Sequence, residues 1–147
     1  MKKTAVFIAF LVLILVFSGC KTSTSLKQGS SHSEAEGVSV EVCGINNGKK
    51  TTLEVLWTNG TNYDVTYGAE YSIERMEDGE WVDCSLETIA FALPAYTIKE
   101  NETVKKEYMI TDMYDISRSG LYRFVSHCTV EDGSGENSLV WAEFEID

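Results

Sequence analysis

The sequence predicts an all-β domain, a sandwich of about seven antiparallel strands. Short runs rich in Val, Ile, Tyr, Phe and Trp alternate with polar residues along positions 38–146. Gly, Asn and Asp turns separate them at regular spacing. No segment of that stretch carries the 3.6-residue apolar period of a long helix, which argues against a doubly wound α/β architecture. Once the N-terminal segments are set aside, about 110 residues remain, the usual size of one sandwich and too few for two domains.

The N-terminus comes first. Lys2 and Lys3 precede an unbroken apolar run, Ala5–Phe17, and then Ser18, Gly19 and Cys20, which is the layout of an export signal. The run falls short of the roughly 20 apolar residues that cross a bilayer. Small residues directly before a cysteine resemble the lipobox of bacterial lipoproteins, in which the cysteine is acylated and becomes the mature N-terminus. Phe17 departs from the Leu more usual three positions before that cysteine. The resemblance implies a signal peptide over residues 1–19 and a lipid anchor, such as palmitate, on Cys20. An ordinary secretory signal and an uncleaved anchor are the alternatives. All three place the rest of the chain outside the cytoplasm, and the first places it on the extracytoplasmic face of a bacterial membrane. The polar, Ser/Thr-rich residues that follow, up to Glu36, predict a flexible tether over residues 20–36, with a reach of roughly 20 Å.

The strands then follow in order. Val38–Val42 and Leu53–Trp57 alternate apolar with polar and are bounded by Gly44–Gly48 and by Asn59 and Gly60. Tyr67–Arg75 places Tyr67, Ala69, Tyr71 and Ile73 on one face and leads through Asp78 and Gly79 into Trp81–Cys84. Asp-Gly between two β-type runs predicts a tight hairpin, because Gly accepts a positive φ. Ser85–Glu102, which holds the only proline, Pro94, predicts a crossing between sheets. Val104–Ile110 is a further strand, and Asp112–Ser117 predicts one helical turn across an end of the sandwich. Gly120–Cys128 and Leu139–Ile146 flank the turn-rich Glu131–Asn137 and form a terminal hairpin. The predicted core is Val38, Val40, Val42, Leu53, Val55, Trp57, Tyr71, Ile73, Tyr122, Phe124, Phe144 and Ile146.

Gly120, Leu121 and Tyr122 ahead of an apolar strand resemble the tyrosine corner of immunoglobulin-like domains, which implies a Tyr122 hydroxyl bonded to backbone upstream. Phe124 stands where an antibody domain has its second cysteine, and Leu53–Trp57 offers no partner for one, so the antibody inter-sheet disulfide is absent. More narrowly, Thr66–Arg75, then Asp78–Trp81, Gly120–Arg123 and Ala142–Glu145 resemble a bacterial immunoglobulin-like domain family of surface lipoproteins. The resemblance covers most of residues 37–147, the predicted domain. It implies an exported, non-catalytic module, and the cysteines depart from the family's usual pattern.

Charge narrows the partners. The chain carries 12 basic against 23 acidic side chains, a net charge of −11, and loss of Lys2 and Lys3 with the leader makes the exported part more acidic still. Nucleic acid and anionic lipid headgroups are poor partners for such a domain. Besides Cys20 there are Cys43, Cys84 and Cys128, an odd number, for which one disulfide and one free thiol is the simplest count in an oxidising compartment. The strand order favours Cys84 with Cys128, with all thiols reduced as the next reading.

No constellation for catalysis stands out. His127 adjoins Cys128, but neighbouring strand residues point to opposite faces, and a Ser-His-Asp triad would need the same histidine. No cysteine or histidine pair has zinc-ligand spacing. Glu131–Asn137 lacks the ligand register of a calcium-binding EF-hand. No cofactor is expected. Trp57, Trp81 and Trp141 are candidates for a carbohydrate platform, with core placement as the competing reading. The function expected is a lipid-anchored binding module that takes a protein or glycan through loops at one end of the sandwich. The alternative is an inhibitor or accessory subunit that inserts a loop within Ser85–Glu102 into an exported enzyme. An exposed apolar loop favours the second contact and exposed coplanar aromatics favour a glycan.

Overall fold

The computed structural model describes residues 26–147, which form nine β-strands and, among the described residues, no helix. The expected signal peptide, the proposed anchor residue Cys20 and the first residues of the expected tether lie outside the described residues. The strands are β1 (Leu26–Ser33), β2 (Val38–Asn47), β3 (Thr51–Asn59), β4 (Val65–Glu77), β5 (Glu80–Asp83), β6 (Tyr96–Ile98), β7 (Thr103–Met109), β8 (Gly120–Val130) and β9 (Asn137–Ile146). One sheet has the order β1-β9-β8-β4-β5, with β6 also on β4, and the second has the order β2-β3-β7. All pairings among these strands are antiparallel.

Alternation accounts for the core. Val38, Val40 and Val42 of β2, Leu53, Val55 and Trp57 of β3, and Phe144 and Ile146 of β9 all point between the sheets, as do Tyr71, Ile73, Tyr122 and Phe124. All twelve predicted core residues are buried. The Asp78-Gly79 hairpin forms as well: φ is 51° at Asp78 and 91° at Gly79, the pair of positive values that a type I′ turn needs.

Two strands exceed the seven expected. The residues assigned to a flexible tether include β1, which pairs with β9 from Leu26 to Ser33. Ala35 just beyond it is buried. The correction has a simple cause: β1 is an edge strand exposed on almost its whole length, so it carries no alternation to read. β6 is three residues long and pairs with β4, so the sheet crossing lies in the short turn 99–102 rather than along all of 85–102. The predicted turn after β7 is a single one, in which the Met113 and Tyr114 N–H groups both donate to the Ile110 carbonyl at 3.0 Å.

Two irregularities matter for the side chains they re-aim. β2 and β3 slip by one residue between Val42 and Gly44, leaving Cys43 as the bulged residue. β4 and β8 slip between Tyr67 and Tyr71, and the Ser126 hydroxyl there donates to the Glu70 carbonyl at 2.8 Å.

Candidate functional site

The 84–95 segment leaves the sheet at Asp83, whose carboxylate accepts the Ser85 N–H at 3.1 Å and the Ser85 hydroxyl at 2.6 Å. Its stem is clamped. The Cys84 N–H donates to the Ile73 carbonyl, the Leu86 N–H to the Met113 carbonyl, and the Asp115 N–H to the Cys84 carbonyl, all within 2.9 Å. An antiparallel bridge joins Ser85 to Tyr114. The far end returns through β6 onto β4. A long loop without regular structure is thus held rigidly at both ends.

Beneath it the open edge between β4 and β7 is filled by aromatic rings. Phe91 of the loop lies 5.1 Å from Tyr71, which meets Tyr108 at 4.8 Å and Tyr114 at 5.5 Å. The Tyr71 hydroxyl donates to the Met109 carbonyl, tying the two sheets together, and the Tyr114 hydroxyl donates to the Tyr71 carbonyl at 2.6 Å. Burial pushes Tyr71 up to about 12 and raises Tyr108 and Tyr114 further, so these hydroxyls stay neutral. Under the loop is an open cleft of about 430 Å³ lined by Tyr71, Asp83, Glu87, Thr88, Phe91 and Tyr114.

The apex is apolar and bare. Leu93 is 100% exposed and Leu86 56%. From Thr88 to Ile98 the chain has no charge, in a protein where a quarter of residues are charged. Pro94 contributes to the presentation, because it lacks an N–H and drives the preceding Leu93 toward extended backbone.

The other candidate residues lie apart from this loop. Cys43 is exposed, Cys84 half-buried and Cys128 buried, and all three thiols are free. The favoured Cys84–Cys128 bridge is not made, because the two sit at different levels of β4. Cys84 bonds opposite Ile73 and Cys128 pairs with Tyr67. Six residues of strand separate those positions, roughly 15 to 20 Å, far beyond the reach of a disulfide. Burial pushes the Cys128 thiol up to about 11, the wrong direction for a nucleophile. Its neighbour His127 points to the exposed side.

The three tryptophans form no common platform. Trp57 is fully buried, stacked on Tyr67 at 4.4 Å, and its Nε1–H donates to the Tyr108 hydroxyl at 2.9 Å. Trp81 and Trp141 share the outer face of the larger sheet, but the Arg123 guanidinium lies over both rings, 4.5 and 5.8 Å from their centroids, and His32 covers Trp141 at 5.6 Å. Both rings, half-exposed, thus already have the guanidinium stacked against them. Among the described residues no group of His, Cys, Asp or Glu is arranged to hold a metal ion.

At the opposite side of the core the Tyr122 hydroxyl donates to the Arg118 carbonyl, four residues upstream, at 2.6 Å, which is the geometry of a tyrosine corner closing a two-sheet antiparallel sandwich. A model of the family described as bacterial Ig-like domain matches residues 34–145. The chain belongs to the bacterial Ig-like domain family. Among curated proteins none matches it. A bacterial Ig-like domain is an interaction module, generally non-catalytic and typically extracellular or on the cell surface.

Two residues that position the loop end of this bacterial Ig-like domain escaped the reading of the sequence. Asn59, taken only as a turn former, is fully buried. Its amide donates to the Tyr63, Ile98 and Lys99 carbonyls at 2.8 to 3.2 Å, while its Oδ1 accepts the Thr61 N–H and hydroxyl. One side chain thus joins the end of β3, the following turn and the β6–β7 crossing. Lys106 turns inward from β7, and its Nζ is buried without a hydrogen-bond partner, 2.9 Å from the Tyr96 ring centroid. Neither has a sequence signature, since Asn before Gly marks any turn and Lys on an edge strand marks any solvated edge.

Proposed function

We propose that this protein is an extracytoplasmic lipoprotein, acylated at Cys20, whose Ig-like domain binds a protein partner through the apolar loop between β5 and β6. The observation that supports this reading is the fully exposed Leu93 at the apex of an uncharged segment whose stem is clamped to the sandwich. A single exposed leucine is ordinary on a surface, but here Ala90, Ala92, Leu93, Pro94 and Ala95 are all exposed in one uncharged run, the kind of contiguous apolar surface that marks an interaction site. A rigid base lowers the ordering cost that a flexible loop would meet on binding. The guanidinium stacked against Trp81 and Trp141 speaks for a protein rather than a glycan. The same loop supports a second reading, an inhibitor or accessory subunit of an exported enzyme, with the 88–95 apex entering the enzyme's cleft.

A photo-reactive amino acid at Ala92 tests the contact on the full chain in its own membrane, with the same probe at Ser39 on β2 as control. A discrete protein adduct at position 92, absent at 39 and abolished by Leu93→Asp, is expected. Adducts to lipid alone, or none, would discard the loop as the binding element. Intact mass of the same material tests the anchor: a diacyl or triacyl increment on a chain beginning at Cys20 is expected, and a chain without it returns the protein to a secreted or signal-anchored class.

A further inference from the structure

The edge of β7 carries an inference independent of the loop. The Asn59 N–H donates to the Glu102 carbonyl, and the Ile110 N–H to the Thr51 carbonyl, both at 2.9 Å. The β3–β7 register is unbroken between them, from Thr58 opposite Thr103 to Thr52 opposite Met109. In an antiparallel ladder, hydrogen-bonded and non-bonded pairs alternate. Val104, Lys106 and Tyr108 therefore turn their backbone groups toward β3, whereas Thr103, Lys105, Glu107 and Met109 turn theirs outward. Among the described residues only the Met109 carbonyl has a partner on that side, the Tyr71 hydroxyl. The side chains of those four residues are also exposed.

A free edge of this kind is ordinarily guarded by a bulge, a proline, charged side chains or an inward-pointing charge, and the inward charge of β7, Lys106, is already taken up by the ring faces of its own sandwich. β7 has neither bulge nor proline. Its two outward charges are of opposite sign and two residues apart, Lys105 and Glu107. Two copies placed antiparallel about an axis through Lys106 bring Lys105 of one opposite Glu107 of the other, and the converse. In that register the outward backbone groups of Lys105 face those of Glu107, so the ladder and the charges call for the same alignment.

We infer that the β7 edge is a self-pairing surface, through which two copies of this chain join edge to edge into a continuous sheet of order β2-β3-β7-β7-β3-β2. The central pair, Lys106 opposite Lys106, is the like-charged one. Each ammonium is drawn into its own sandwich, between the rings of Tyr96, Tyr67 and Tyr108, rather than across the axis. A single strand-to-strand contact is small, at the weak end of interface sizes, so the dimer belongs to crowded or tethered chains.

Carbodiimide cross-linking of the full chain in its membrane is a direct test, because the reagent joins an amine to a carboxylate only where they touch. A covalent dimer whose junction peptide joins Lys105 to Glu107 is expected, with a yield that falls as salt rises. Lys105→Glu and Glu107→Lys each place like charges opposite one another across the axis, and each abolishes the dimer; Lys105→Glu also loses the ion pair with Glu54 of its own chain, 3.4 Å away, so Glu107→Lys, which sets a lysine opposite Glu54, is the variant expected to do so without lowering the unfolding midpoint. Mixing the two variants restores it as a heterodimer, and the double reversal restores it as a homodimer. Absence of a dimer, a junction elsewhere, or a dimer that survives either single reversal would overturn the inference. A heterologous adduct at Lys105 in place of the dimer would also do so, assigning the edge to another protein.

Discussion

Single residues decide how the loops of this domain are held. Asn59 is fully buried, and its side chain bonds the Tyr63, Ile98 and Lys99 carbonyls together with the Thr61 N–H and hydroxyl. Asn59→Ala removes these bonds, although the Lys99 carbonyl keeps the Glu102 N–H and the Tyr63 carbonyl the Thr61 hydroxyl, and it is expected to cost about 2 to 3 kcal/mol, the upper part of the range for losing a buried hydrogen-bonding group. The drop in unfolding free energy in urea, at unchanged m-value, measures it. A loss within a few tenths of a kcal/mol would show that the turn repacks around other donors. Tyr122 is the opposite case in legibility. Its flanking Gly120 and Leu121 marked it in the sequence, and its hydroxyl bond to Arg118 is local, whereas Asn59 reaches residues 39 and 40 positions away. Local partners leave a pattern in sequence; distant ones do not.

At the scale of elements, the hairpins follow from turn chemistry and alternation. Gly79 has φ 91° and nothing within 4 Å of where a Cβ would stand, so its substitution is penalised by backbone conformation alone. Gly79→Ala is therefore expected to destabilise by about 1 to 2 kcal/mol, read as a lowered thermal midpoint without change in the β4–β5 pairing. An unchanged midpoint would mean that the turn relaxes out of its type I′ form. The elements that escaped notice share one property. β1 shows solvent to both its faces and β6 spans only three residues, so neither buries enough side chains to write a period into the sequence. The cysteines erred for a related reason: the strand order suggested a shared pole, but the positions along β4 to which Cys84 and Cys128 are registered decide the distance.

At the scale of the whole molecule, the seam between the two sheets has a titrating group of its own. Burial pushes Lys106 down to about 8 from the ordinary lysine value. Between there and about 10 the unfolded chain binds a proton that the folded chain has released, so this group adds stability as pH rises. Below 8 both states are protonated and its penalty is constant. Above about 10 the buried tyrosines reverse the trend, because their ionisation is favoured only in the unfolded chain. Lys106→Met, which keeps the apolar stem over Tyr67 and Tyr96, is expected to raise the thermal midpoint at pH 7, with an advantage that shrinks by pH 10. A pH-independent difference would show instead that the ring faces hold the charge as well as water does.

The all-β class, the twelve core positions, the Asp78-Gly79 hairpin, the tyrosine corner residue and the absence of the antibody disulfide are all legible in the amino-acid sequence. Each rests on residues within a few positions of one another, where side-chain period and backbone propensity act directly. That Leu93 stands bare above an aromatic seam, that Arg123 lies over Trp81 and Trp141, that three thiols stand apart and that β7 ends a sheet are properties of the assembled sandwich. These depend on which strands become neighbours across the sandwich. That is set by the packing of two whole sheets and the registers between them, and a linear pattern does not encode those distances.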